Sequence, residues 1–390
     1  MTPRDLGARR QRVIGAVRGE TAGPTLVCTG SLHGDEPSGV LALQRILRLL
    51  EEHQLPIRGE FVALAGNLSA MVADERYLSD DLNRHWSPDN IRRARETELE
   101  TLSDEDRELR ELLDALHELF ERSGGELHFL DLHTSSADGQ PFVCIGDTLR
   151  NRRFAEKFCV PVILGLEEQI DGSLLEYVNN LGYITVGVEG GQHRAETSVD
   201  HHEAVVWLAL VSAGLLRESE VPEIDTYRQR LRRVSRDLTG FMEVRHRHPI
   251  EPADEFAMEE GFTNFQHIRA GQLLAHDRVG EVHAAEGGRI LLPLYQGLGS
   301  DGFFIARDVN SFWLRLSSGL RRLGLDRALH WLPGVRRHPE REGTLIIDTH
   351  LARWFALEVF HLLGYRKRRS VEGKLVVSRR LFDHRPPEAD

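Results

Sequence analysis

The sequence predicts an α/β fold: a mostly parallel sheet flanked by helices, followed by a second, β-rich domain. Three observations carry that expectation. Short apolar runs end in polar or glycine-rich turns, and helical repeats with a single apolar face lie between them. From about residue 240 the texture then changes to short runs broken by glycine every several residues.

The apolar runs are residues 24–29 (PTLVCT), 60–66 (EFVALAG), 126–132 (ELHFLDL), 141–145 (PFVCI), 160–165 (VPVILG) and 183–188 (YITVGV). Each is short and bounded by turn residues, as buried strands are. Between the first two, Val40, Leu41, Leu43, Ile46, Leu47 and Leu50 fall on one face of a helix. A second helix carries Leu109, Leu112, Leu113, Leu116, Leu119 and Phe120, with Ser103 as its N-cap and Gly124-Gly125 as its stop. Asp200-x-x-Glu203 offers a capping box for a third helix over about 200–215, which places His201 and His202 in its first turn and gives them no metal to bind.

The charged segment TYRQRLRRVSRDLTG (226–240) is expected to be helical and to form a soft boundary. Three units follow: a catalytic domain at 1–235, a β-rich domain at 236–310, and a helical, basic extension at 311–390 whose end, HRPPEAD, should fray. The basic run RKRR (366–369) reads as a solvated face.

Composition narrows the function. With 390 residues, 41% hydrophobic and 28% charged, the chain is long enough for a large core. A net charge of -12 argues against a general nucleic-acid binder. No window reaches the roughly 18 apolar residues of a membrane span, and MTPRDLGARRQRVIGAVRGE has no apolar leader segment. A soluble, cytoplasmic protein is expected, with Cys28, Cys144 and Cys159 as reduced core thiols.

In an open parallel sheet, ligands bind at the carboxyl ends of the strands, and there the sequence is rich in chemistry. GSLHGDEPSG (30–39) follows the first strand, and NLSAMVADERYLSDDLNRHW (67–86) follows the next. DLHTSS (131–136) ends the third and VEGGQH (188–193) a late one. Catalytic zinc takes three protein ligands and leaves a position open for water; His33, Glu36 and His133 form such a His2Glu set, with Gly30 and Gly34 letting the backbone bend around it. Asp131 has the chemistry of a carboxylate that orients a ligand, although its partner is not evident from the sequence. Asn83 and Arg84 in DLNR suit a carboxylate clamp, with Arg76 adding positive charge. Glu189, between the run YITVGV and two glycines, suits a general base.

These stretches, in this order, resemble the succinylglutamate desuccinylase/aspartoacylase family of the zinc carboxypeptidase clan. The resemblance covers roughly residues 24–195, and the β-rich 240–307 is similar to the second domain of bacterial members. It implies a zinc carboxypeptidase-like fold with one Zn2+ per chain held by His33, Glu36 and His133. Arg76 would polarise the carbonyl, Asn83 and Arg84 would hold the substrate carboxylate, and Glu189 would be the catalytic glutamate. The implied activity is a deacylase in which Glu189 assists attack of zinc-bound water on the amide of a small N-acyl amino acid, then protonates the departing amine. Such a protein needs neither nucleic acid nor membrane as a partner and is compatible with a homo-oligomer.

Two departures stand out. Aspartoacylases carry an additional arginine shortly before the catalytic glutamate, where this chain has EYVNNLGYITV, so their dicarboxylic specificity is not expected here; Arg194, just past the glutamate, is a speculative substitute. Asp35 stands where many members carry Asn. Tyr295 in PLYQG is expected to pack, with a hydrogen-bonding role at the site as the alternative. A zinc carboxypeptidase acting on a peptide or cell-wall fragment would use the same residues, and a non-catalytic binding protein on this scaffold is the third reading.

Overall fold

The computed structural model describes residues 2–324 apart from 239, and beyond them 329, 332, 334–339, 343–348, 363–371, 374–380 and 382–383. Seven strands build its centre: β1 (Val13–Arg18), β2 (Thr21–Gly30), β3 (Arg58–Ala65), β4 (Leu127–Ser135), β5 (Phe142–Ile145), β6 (Val162–Leu164) and β7 (Ile184–Gln192). Strands β3, β2, β4 and β7 are parallel neighbours in that order. Strand β1 adds antiparallel to β3, and β5 runs antiparallel to β7 before pairing in parallel with β6. The sheet is therefore mixed, with its parallel part at the centre.

Among the described residues the α-helices are α1 (Pro3–Ala8), α2 (Ser38–Glu52), α3 (Leu68–Ala73), α4 (Pro88–Glu96), α5 (Asp104–Arg122), α6 (Leu149–Ala155), α7 (Leu174–Asn180), α8 (Glu196–Ser212), α9 (Ile224–Val234) and α10 (Ser311–Arg322). Strand periodicity sorts the core into two layers. On one face Leu26, Cys28, Leu130 and Val186 pack with Leu43 and Ile46 of α2 and with Val205 of α8. On the other, Val27, Leu64 and Phe129 meet Leu109, Leu112 and Leu116 of α5. The Ser103 hydroxyl accepts from the Asp106 amide at 3.1 Å and caps α5 as expected.

Helix α8 differs from its expectation. It starts at Glu196, so Asp200 and Glu203 lie inside it and cap nothing. Asp200 accepts from Arg45 at 2.9 Å, and Glu203 from the Tyr227 hydroxyl at 3.2 Å. Residues 201–210 are buried without interruption; a helix that is apolar on nearly every side has no periodic face to reveal its start.

Past residue 240 the strands are β8 (Phe241–Pro249), β9 (Ala257–Met258), β10 (His267–Ile268), β11 (Leu273–Asp277), β12 (Gly280–His283), β13 (Gly288–Leu291) and β14 (Asp301–Val309). The segment is β-rich, but four of its strands extend the central sheet, whose order is β1-β3-β2-β4-β7-β5-β6-β8-β14-β13-β10. Strand β8 pairs in parallel with β6, while β9, β11 and β12 form a separate small sheet.

Among the described residues of 311–390, the helical expectation holds for α10. Later described residues form a four-stranded antiparallel sheet from β15 (Val335–Arg337), β16 (Thr344–Asp348), β17 (Tyr365–Val371) and β18 (Lys374–Arg379). TLIID and KLVVSR are short and rich in β-branched residues, which suits strands. Arg366, first of the basic run, is buried and donates to Glu176 at 2.9 Å and Asn180 at 3.2 Å rather than facing solvent. Arg321 of α10 reaches Asp147 at 2.7 Å, and Arg380 binds Glu167 and Glu168, so buried charge ties this segment to residues 147–168. The tail HRPPEAD lies outside the described residues. Among the described residues no helix is long and apolar enough to cross a membrane.

Candidate active site

Strand β2 is where the chain changes direction in the sheet. It leaves through α2 to β3 on one side and later returns through α5 to β4 on the other, so the crevice between β2 and β4 is the switch point at which α/β sheets bind ligands. His33 and Glu36 lie on the turn after β2, and His133 near the end of β4. The turn packs tightly: a Cβ on Gly34 would stand 2.4 Å from the Ala70 carbonyl oxygen of α3.

One donor atom from each of His33, Glu36 and His133 lies within 4.8 Å of the other two. Glu36 bridges the histidines, with Oε1 2.9 Å from His33 Nδ1 and Oε2 3.2 Å from His133 Nδ1. Each ring's far nitrogen meets another carboxylate: His33 Nε2 is 3.0 Å from Asp81, and His133 Nε2 is 3.0 Å from Asp131. The Thr29 hydroxyl donates to Asp131 at 2.6 Å and fixes that carboxylate in turn. Asp131 thus has a partner, His133 itself, because residues two apart in a strand share a face. Two imidazoles anchored from behind by carboxylates, plus a third anionic ligand, are the donor set that fits a divalent cation such as zinc.

The electrostatics agree with that fit. Burial opposes ionisation of Glu36, yet the two histidines hold its carboxyl well below the usual range. Burial likewise opposes charge on His133, and Asp131 with Glu36 nevertheless lifts it well above its usual value. The cluster wants positive charge at its centre.

Glu189 of β7 pairs in register with His133. Its Oε2 is buried without a partner, and burial pushes the carboxyl up to about 7. Arg76 lies 3.4 Å from Glu36 and 3.3 Å from Asp81. Asn83 accepts the Leu174 amide on Oδ1 at 3.0 Å, which leaves its NH2 as a donor. Arg84 donates to Asp301 of β14 at 2.9 Å, and Arg247 of β8 holds the same aspartate. The Nε atoms of Arg76 and Arg84 are buried and have no acceptor. A single cavity is lined by His33, Glu36, Arg76, Asn83, Arg84, His133 and Glu189 together.

Other residues fall elsewhere. The Tyr295 hydroxyl donates to the Glu259 carbonyl at 2.8 Å and accepts from the Phe262 amide, away from the cavity. Arg194 pairs with Asp74 at 3.0 Å on the surface and substitutes for nothing. His202 lies one layer beneath the site. Its Nε2 donates to the His133 carbonyl at 2.9 Å and its Nδ1 faces the Ser38 hydroxyl at 3.2 Å, a fully used neutral ring. Asp81, His193 and Asp301 also reach the site without having been singled out. Asp81 lies inside the quoted SDDLNR and His193 inside VEGGQH, whereas nothing in the sequence links Asp301 to residues more than two hundred positions earlier.

Residues 22–213 match the family model described as the succinylglutamate desuccinylase/aspartoacylase catalytic domain. This part of the chain belongs to the succinylglutamate desuccinylase/aspartoacylase family. Curated relatives named succinylglutamate desuccinylase include one from Burkholderia lata, 37% identical over 87 residues, which is 21% of this chain and 25% of the relative. Another, from Photorhabdus laumondii, is 32% identical over 96 residues, 23% of this chain and 30% of its own length. The chain thus matches only about a quarter of the length of these relatives. Among solved structures, a succinylglutamate desuccinylase/aspartoacylase from Rhodobacter sphaeroides superposes with a TM-score of 0.54 at 19% identity, covering 76% of this chain and 88% of that one. The ectoine utilization protein EutE (DoeB) from Ruegeria pomeroyi gives 0.53 at 20% identity, covering 75% and 86%. These likenesses show that the fold is shared.

Proposed function

We propose that this protein is a zinc-dependent amidohydrolase that removes the acyl group from a small N-acyl amino acid. The observation that carries the reading is the convergence of the His33, Glu36 and His133 donors within 4.8 Å, beside a glutamate whose buried Oε2 has no partner. Zinc held by those three residues supplies a Lewis acid that polarises a carbonyl and acidifies water.

The chain's own residues supply the rest. Asn83 and Arg84 orient the substrate by its carboxylate. Glu189, poised near neutrality, takes a proton from the attacking water and returns it to the nitrogen as the C–N bond breaks, so a carboxylic acid and a free amine leave. Arg76 donates to the oxygen on which negative charge develops, at a buried position where a fixed cation counts for more than it does in water. Residues 1–235 hold this machinery, and the β-rich 236–310 closes the cavity from the β14 side. Three free thiols suit a reducing, cytoplasmic setting.

Metal content, together with amine release from a panel of N-acetyl, N-succinyl and N-formyl amino acids, tests the reading. One zinc per chain with turnover that vanishes in Glu189→Gln is expected. Zinc without turnover on the panel, but with trimming of peptides, would favour the carboxypeptidase alternative; protein purified without chelator and lacking metal would overturn both.

A further inference from the structure

The cavity does not end at the metal site. The same cavity is lined by Gly187, two residues before Glu189 on β7, and by Ile145, Leu166, Ile170, Leu175, Leu292 and Phe304, with Ser173 and Ser300 as neutral polar neighbours; this apolar lining is the pouch. Leu166, Phe304, Ile170 and Leu292 belong to one hydrophobic cluster, assembled where β8 and β14 extend the central sheet. The pouch is therefore a product of the β-rich segment as much as of the catalytic one.

Its place relative to the clamp decides what it holds. Asn83 is fixed by the Leu174 amide at 3.0 Å, and Gly172 packs so closely on Arg84 that a Cβ there would stand 2.5 Å from the Arg84 carbonyl oxygen. Ile170 and Leu175 flank this same segment. An α-carboxylate and a side chain hang from one Cα, so a substrate whose carboxylate sits on Asn83 and Arg84 directs its amino-acid side chain into the adjoining pouch.

The charges near it are already engaged. Among the described residues, the lining cations other than histidine are Arg76, held by Glu36 and Asp81, and Arg84, held by Asp301. His193 is tied to Thr134 and Gln296, both at 2.8 Å. Glu167, at the pouch's edge, is committed to Arg380. One anion finds the Asn83 NH2, whose Oδ1 alone is engaged, beside the Arg84 guanidinium; a second anion would lie against leucine, isoleucine and phenylalanine, where an unpaired charge is strongly disfavoured.

Resting on the deacylase reading above, we propose that the substrate is an N-acyl derivative of an apolar amino acid with a single carboxylate, and that this pouch is its side-chain pocket. Dicarboxylic substrates of the kind that the family's name describes are excluded by it.

The test is a ranking by side chain. With the full-length zinc-loaded protein, kcat/KM is measured for N-acetyl-leucine, -methionine, -aspartate, -glutamate and -lysine, and binding of the same compounds to Glu189→Gln is measured by calorimetry. Leucine or methionine should exceed aspartate and glutamate by roughly tenfold or more in both measurements. Ile170→Arg, a change at a half-buried loop position, should narrow or invert that ratio. Aspartate or glutamate equal to leucine would overturn the pocket assignment, and a lysine preference would overturn it in favour of Glu167. If no compound is hydrolysed, the deacylase reading fails, yet the binding ranking still decides the pouch; failure of every compound to bind would overturn it too.

Discussion

His133 and Glu189 face each other in register across two parallel strands, β4 and β7, one among the converging metal donors and the other just outside them. In the proposed mechanism the first is a ligand and the second a base, and the difference can be measured. Glu189→Gln keeps size and polarity but removes the proton acceptor. Amine release should fall by about 10²–10⁴-fold while zinc stoichiometry stays at one. Loss of zinc in this variant would make Glu189 a ligand and reverse its role.

Asp81 and Asp131 act through the histidines they hold, at 3.0 Å each. Replacing either by Asn retains the shape but weakens the hold on the imidazole. Zinc affinity, measured by competition with a chelator, should drop by about 10–100-fold for Asp81→Asn and for Asp131→Asn. Unchanged affinity in both would mean that the rings are positioned by packing alone.

His128 gives the protein a pH-dependent stability away from the site. It lies buried in β4 against Phe154, and burial lowers it from 6.5 to about 4. The unfolded chain therefore binds more protons than the folded one between those values. Stability should decline as pH falls through that window and be flat with respect to this group above it; the full contribution is about 3 kcal/mol at most, at about 1.36 kcal/mol per unit. Denaturant unfolding at pH 7 and pH 5 should show a smaller loss for His128→Gln than for wild type. An equal loss in both would remove His128 from the account.

Gly190 is the price of running His202 under the active site: a Cβ there would come within 2.6 Å of the His202 ring nitrogen that donates to the His133 carbonyl. Gly190→Ala should therefore destabilise the fold by about 1–3 kcal/mol, visible as a lower melting temperature. No change would show that α8 shifts aside freely.

The four motifs that bear the chemistry were legible because each follows an apolar strand, and the ends of buried strands are where an α/β sheet exposes functional side chains. All eight residues given a role in them, Asp131 included, line one cavity. The start of α8 was not legible, since its burial on nearly every side leaves no amphipathic signal. The small C-terminal sheet was missed because basic composition suggested helix while the strand signals were short.

What the sequence determined alone was the local chemistry: which strands are buried, where Ser103 caps α5, and that two histidines and a glutamate follow strand ends. Only the tertiary structure decided what those groups meet. Asp81 behind His33, Asp301 against Arg84, and the apolar pouch of the cavity join residues far apart in the chain. Such pairings depend on strand order, with β8 laid beside β6 and β14 beside β8, and strand order is fixed by long-range packing that no local pattern encodes.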